Sequence, residues 1–362
     1  MRKIPCPHND LARLFRHGDR AAAPGLLDFS VTVNPLGPPA SVLRALQSGL
    51  ATVGRYPDPD CRLLTERLAA YHGCLPSEVI VGNGANDLIY AITRAVRPRQ
   101  VAIAEPTYTE YLRAALQVGA TVSHWLAEGD DFQPAPFDPE AAELLWLCNP
   151  NNPTGRLWPS PVELSAWIAA HPQTLFVIDE AFLPLLVSDE DGPKRSMISW
   201  IGKLSNVVVL RSLTKQYALP GLRLGYAVAM AEWAQRIRAE VVPWSVNALA
   251  QLAGVAALAD AEYHQRTRAW LANEVPSFMK CLAGISERLQ PVPSATSFVL
   301  VRLKELTAAA VAAFLGRHGV AVREASNFVG LDGRYLRLAV RTAECNERLL
   351  KLLREILLAG AP

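Results

Sequence analysis

The spacing of hydrophobic and polar residues changes period repeatedly along the chain. Between residues 79 and 230, short apolar runs alternate with longer amphipathic ones. VIVG (79–82) predicts a strand, and ANDLIYAITRAV (85–96), apolar at helical spacing, predicts the helix that follows. VAIAEP (101–106), TVSHWL (121–126), LLWLCN (144–149) and TLFVIDE (174–180) read as strands. EYLRAALQVG (110–119) and PVELSAWIAAH (161–171) read as helices between them. NVVVL (206–210) and LRLGYAVAM (222–230) are two further buried runs. Strands that alternate with helices imply a mostly parallel sheet with helices on both faces.

The flanking regions follow other patterns. Residues 1–47 look irregular, with LLDFS (26–30) as a short strand. VNPLGPP (33–39) is held extended by its prolines. SVLRALQSGLATV (41–53) predicts a helix capped by Ser41, and CRLLTERLAAYHG (61–73) one ended by Gly73. Beyond Ala229 the pattern turns helical: 231–242, 248–260 and a long segment 261–284, in which Pro276 marks a kink or break. The last third reads as a small α+β unit. It has strands FVLVRL (298–303), VAVR (320–323) and YLRLAVR (335–341), and helices over 307–319 and 344–360.

Composition narrows the class. A chain of 362 residues suggests about two domains of roughly 150 residues each. A net charge of +2, without a basic stripe, gives no reason to expect nucleic acid. The apolar runs fall short of the ~18 residues a membrane span needs, so no membrane partner is expected. MRKIPCPHNDLARLF has no apolar signal core. The six cysteines (6, 61, 74, 148, 281, 345) form no CxxC pair. They suggest reduced thiols and a cytoplasmic protein, with neither a disulfide frame nor a metal site.

Candidate chemistry gathers where strands end. Open α/β sheets bind ligands at the carboxyl ends of their strands. Gly84-Ala85-Asn86 joins a strand to a helix N-terminus, whose free amides and dipole suit a phosphate. Asn152 stands in NPNNPTG, and an asparagine held by a following proline can point its amide into a cleft. Asp179 closes the apolar strand TLFVID, where a carboxylate is costly unless a cation or hydrogen bonds meet it. By itself Asp179 equally reads as a cap for the next segment. Lys215, in RSLTKQYALPGLRLGY, lies between two buried runs. A lone lysine there reads as a surface residue; a buried one has a depressed pKa and can form a Schiff base. Ser212 and Arg223 flank it and can complete a phosphate cup. A phosphate, an aldehyde and a basic ring nitrogen in one cofactor would use all of these groups, and pyridoxal 5'-phosphate has all three.

GNGAND, NPNNPTG, VIDEAF and SLTKQYALPGLRLGY, in that order, resemble the fold-type I pyridoxal-phosphate enzymes of the aminotransferase I/II superfamily. The resemblance runs from about residue 25 to 358. It implies that Lys215 is the Schiff-base lysine and Asp179 the partner of the pyridinium nitrogen. Asn152 then bonds the ring hydroxyl, and Tyr108 of AEPTYTEY stacks on the ring. Gly84, Ala85, Asn86, Ser212 and Arg223 hold the phosphate. Tyr56 of RYPDPD would reach the cofactor of a partner subunit, which implies a homodimer with shared active sites. Arg337 of YLRLAV matches the arginine that takes the substrate carboxylate. With the pattern above, the expected fold is α/β: a mostly parallel-sheet large domain over 48–255, and a smaller α+β domain built from both chain ends, 1–47 and 256–362.

Two branches of the superfamily match. The alternative is the histidinol-phosphate aminotransferases, which act on a phosphorylated amine. LDFSVTVNPLGPP, RYPDPD, PWSVNALA and NFVGLDGRYLRLAVRTAECNERLL resemble the threonine-phosphate decarboxylase branch of cobalamin biosynthesis more closely. Phe182 points the same way: transaminases commonly carry a tyrosine there, whose hydroxyl tunes the cofactor's ring oxygen. The decarboxylase branch has a His-Gly-Gly stretch where this chain reads Pro7-His8-Asn9-Asp10, leaving His8 as the substrate contact. Ser297 stands where the branch tends to have asparagine. Decarboxylation of a phosphorylated amino acid is therefore expected, with Arg323, Arg337 and His8 as the groups that grip its anions.

Overall fold

The computed structural model describes residues 1–4, 15, 25–187 and 193–359. Its centre is an eight-stranded sheet. The strands, in spatial order, are Arg2–Ile4, Thr121–Leu126, Gln100–Glu105, Leu144–Cys148, Leu175–Asp179, Val207–Ser212, Gly225–Ala229 and Val79–Gly82. The first and the seventh run against the others. The sheet is thus mostly parallel, as the alternation of strand and helix implied.

The apolar runs form strands because both faces of the sheet are covered. Alternate side chains of an extended chain point to opposite faces. Val207 and Val209 join one core with Phe176, Ile178, Leu145 and Leu147. Val208 and Leu210 join another with Leu175, Val177, Leu144 and Trp146. Each such side chain contributes roughly 1.5–3 kcal/mol by leaving water. With no polar face to present, these strands carry no polar alternation.

A second sheet of four antiparallel strands, in the order Leu289–Pro291, Phe298–Leu303, Tyr335–Ala339 and Arg323–Glu324, packs on helices Ala261–Ala283, Ala308–Arg317 and Ala343–Ala359. Phe29, from near the start of the chain, is buried in the same core. Leu27–Asp28 pairs in parallel with Val320–Ala321.

Several local expectations change. Ser41 lies inside helix Ala40–Gly49, and its hydroxyl bonds Asp260 Oδ2 at 2.5 Å instead of capping. Helix Ala261–Ala283 continues through Pro276. Leu271, Val275, Phe278 and Leu282 are buried on one side, whereas Ala272, whose carbonyl loses its bond to Pro276, is exposed and can meet water. VAVR splits, with Val320–Ala321 and Arg323–Glu324 pairing to different strands. Arg2–Ile4 is a strand within the stretch expected to be irregular, paired to Thr121–Leu126. Three residues are too few to show a period.

Candidate active site

A cavity of about 490 Å³ opens at the carboxyl ends of the parallel strands. One wall is Ala85 and Asn86, at the start of helix Ala85–Val96. Gly84 is its N-cap at φ +83°, and no side chain occupies the cap. The first amides of the helix therefore face outward without a side-chain partner, the arrangement that suits an anion. A Cβ on Gly84 would lie 2.5 Å from Arg223 Nη2, and one on Gly225 would lie 2.3 Å from the amide nitrogen of Ala85. Only glycines let the guanidinium and the neighbouring strand approach this close. Ser212 closes the cup, its Oγ 2.8 Å from Thr214 Oγ1.

Lys215 sits on a single turn, Leu213–Gln216, directly after the buried strand Val207–Ser212. It is half-buried and lines the cavity. Asp179 ends the adjacent strand on the cavity floor. Tyr111 Oη donates to its Oδ2 at 2.6 Å, and the Ala181 amide donates to its Oδ1 at 2.9 Å. Burial still pushes the carboxyl above its ordinary range, although Tyr111, Ala181, Lys215 and Arg211 pull the other way. A cationic ring nitrogen would relieve that cost. The cap reading does not hold: the next helix, Leu183–Leu185, has Phe182 as its N-cap and no side-chain cap bond, so Asp179 serves as a cavity carboxylate.

Tyr108 and Asn152 also line the cavity. The Tyr108 hydroxyl donates to Asn86 Oδ1 at 3.4 Å. Burial raises the pKa of that phenol, keeping it protonated. Arg337 donates through Nη1 to Asn152 Oδ1 at 2.5 Å and through Nη2 to the Ser30 carbonyl at 2.7 Å. Its buried Nε meets no partner among the described residues. Burial, and then the nearby Arg323, pull Arg337 down to about 9; an anion in the cavity would restore it. Arg323 donates to Asn327 Oδ1 at 2.7 Å and lies over Phe328, 5.2 Å from the ring centre.

Ten expected site residues thus meet in one cavity, with Phe182 in its wall. Tyr56 does not join them: it is 85% exposed on another face, 5.5 Å from the Trp244 ring. His8 lies outside the described residues. Ser297 is buried and does not line the cavity. The sequence reading passed over Tyr111, which binds Asp179 and stacks on Trp146 at 4.7 Å. Its spacing of three from Tyr108, at the start of helix Glu110–Gln117, was the available signal. Ser30 was also missed, because it acts through its carbonyl.

A doubly covered α/β sheet with a cavity lysine, a strand-end carboxylate and an anion cup at a helix N-terminus defines the fold-type I pyridoxal-phosphate enzymes. The chain belongs to the aminotransferase class I and II family, whose sequence model matches residues 24–353. It is 40% identical over 346 residues to the threonine-phosphate decarboxylase of Salmonella typhimurium strain LT2, covering 93% of each chain. Histidinol-phosphate aminotransferase 2 of Archaeoglobus fulgidus is 33% identical over 333 residues, 91% of this chain and 93% of that one. The crystal structure of L-threonine-O-3-phosphate decarboxylase from Porphyromonas gingivalis superimposes with a TM-score of 0.82 at 31% identity, over 92% of this chain and 99% of that one. The enzymes of this family work with pyridoxal 5'-phosphate, and the Gly84 cup and the costly Asp179 carboxylate fit that group.

Proposed function

We propose that this protein decarboxylates L-threonine O-3-phosphate to (R)-1-amino-2-propanol O-2-phosphate, for the side chain of cobalamin. The observation that carries the reading is that Arg323 and Arg337 enter the same cavity as Lys215. Two guanidinium groups suit a small amino acid that bears both a carboxylate and a phosphate. The relatives named decarboxylases support it, and so does Phe182, which offers the cofactor no hydroxyl.

Gly84, Ala85, Asn86, Ser212 and Arg223 would hold the cofactor's phosphate, Asp179 its ring nitrogen, Asn152 its ring hydroxyl, and Tyr108 one ring face. Bound pyridoxal phosphate supplies an electron sink for the pair left at Cα when a bond there breaks. Lys215 would anchor the cofactor, and its amine would hold the proton that replaces the departing carboxylate at Cα. Arg337 takes the carboxylate and Arg323 the phosphate, with His8 as a further contact. These grips choose which Cα bond stands across the ring plane, and so whether CO₂ or a proton leaves.

A second copy of the chain would cover the face where Leu50, Val53, Tyr56, Leu63, Val242 and Trp244 are exposed, with Tyr56 reaching the partner's cofactor. No described helix is long and apolar enough to cross a membrane. The unpaired cysteines among the described residues support a cytoplasmic location.

The test is incubation with threonine phosphate in the absence of any oxo acid. CO₂ release is expected, and Lys215→Ala should lose both that release and the visible absorption band of the lysine-bound cofactor. Glutamate formation from histidinol phosphate and 2-oxoglutarate, without CO₂ release from threonine phosphate, would make the protein an aminotransferase instead.

A further inference from the structure

The cavity's carboxylate grip and its lysine belong to different sheets, so something must hold them at a constant separation. Arg337 lies on strand Tyr335–Ala339 of the four-stranded sheet, and Lys215 on the turn that follows Val207–Ser212 of the eight-stranded one. The segment 28–34 runs between them, and Ser30, Val31 and Thr32 form part of the cavity wall. At its first end, the Ala339 amide donates to the Phe29 carbonyl at 3.0 Å, and Arg337 donates to the Ser30 carbonyl. At its other end stands Asn34, which is 2% exposed. The Asn34 amide donates to the Lys215 carbonyl at 3.0 Å, and its Nδ2 donates to the Gln216 carbonyl at 2.9 Å. Nδ2 also donates to Thr267 Oγ1 at 2.8 Å, while Oδ1 accepts from the Leu36 amide at 3.1 Å. Every polar atom of the side chain is thus committed, and one side-chain bond and the main-chain amide bond end on the lysine turn.

We infer that Asn34 is a positioning residue that sets the distance between Arg337 and Lys215, and so the balance between breaking the Cα–carboxylate bond and the Cα–H bond. This rests on the decarboxylase reading above. In the intended reaction CO₂ leaves, its bonding pair stays at Cα, and a proton takes its place. In the competing outcome the α-proton leaves while the carboxylate stays, the phosphate departs from Cβ, and water releases the remainder as a 2-oxo acid, ammonia and inorganic phosphate. The same lysine serves both outcomes, so a small displacement between grip and lysine shifts their ratio rather than abolishing either. A serine at position 34 cannot span to Gln216, whereas a valine at 267 removes that residue's bonds to Asn34 and Tyr263 and leaves the Asn34 bond to Gln216 in place.

The experiment compares wild-type, Asn34→Ser and Thr267→Val holoenzymes on threonine phosphate, measuring 2-oxo acid formed per CO₂ released. Asn34→Ser should raise that ratio about tenfold, the effect of losing roughly one buried hydrogen bond from one of two competing transition states. Thr267→Val should leave the ratio at the wild-type value even if it lowers stability. An unchanged ratio in Asn34→Ser, or an equal rise in both variants, overturns the inference. Hydrogen exchange on cofactor-free wild-type protein tests the link whether or not the variants fold. The Asn34 amide should exchange as slowly as those of strand Val207–Ser212, and free exchange there would sink the idea. Absence of CO₂ release from wild type would count against the decarboxylase reading instead, while the exchange experiment would still judge the Asn34 link.

Discussion

Asp179 places a buried carboxyl against the stability of its own fold. Its carboxyl is raised from 3.8 by burial. A raised folded pKa means that the folded state holds the proton more tightly than the unfolded chain. The contribution to stability is therefore complete below 3.8 and is lost as pH rises through the folded pKa. Cofactor-free Asp179→Asn should unfold at a higher midpoint than wild type at neutral pH, by about 1 kcal/mol, with no such gain under acidic conditions. Its turnover should fall by about 10²–10³-fold. Thermal denaturation at the two pH values, with a rate assay, checks both. A lower neutral midpoint would mean that the bond from Tyr111 outweighs burial. Asp179 was legible in the sequence because it breaks the local pattern, a charge at the end of an apolar run, whereas Lys215 and Asn152 stood out only together with the motifs around them. Tyr111 sits on the apolar face of its own helix and breaks no pattern.

Helix ends tie the layers together at the scale of elements. Helix Arg62–His72 ends at Gly73, which takes a φ of +67°. Its last residue, His72, places Nε2 2.7 Å from the Tyr226 hydroxyl on strand Gly225–Ala229. Burial, helped by Arg211, lowers His72 from 6.5 to about 3. This depressed group stabilises the fold fully above 6.5, and that share is lost as pH falls toward 3. A neutral His72→Gln variant should therefore show a flatter fall in chemical-denaturation stability between those two values. An identical slope would remove His72 from the acid response. Gly73 was readable as a stop because few residues other than glycine adopt that φ readily. Of the kink or break expected at Pro276, the break does not occur: local rules count the hydrogen bond the proline removes, whereas the packing of Val275 and Phe278 carries the helix through.

On the dimer reading, the exposed face around Tyr56 decides how many copies make a working enzyme. Val53 is 67% exposed there, beside a cavity of about 500 Å³ lined by Tyr56 and Leu63. On the dimer reading, Val53→Asp places a charge in the interface and should yield monomers in sedimentation with greatly reduced turnover. Tyr56→Phe should remain dimeric and bind the cofactor about tenfold more weakly, the loss of one charge-assisted hydrogen bond. A monomeric wild type with full activity would dismiss the shared site.

The sequence by itself determined seven of the eight strands of the large sheet, their order along the chain, and the lysine, carboxylate and glycine turn at their ends. These follow from local periods and from residues that only a cavity tolerates. Tertiary structure alone decided that Ser30 binds Arg337 and that Asn34 holds the turn carrying Lys215. Those bonds join residues more than 180 positions apart. The Ser30 link and the main-chain bond to Lys215 also end on backbone atoms, which carry no residue identity for a sequence to display.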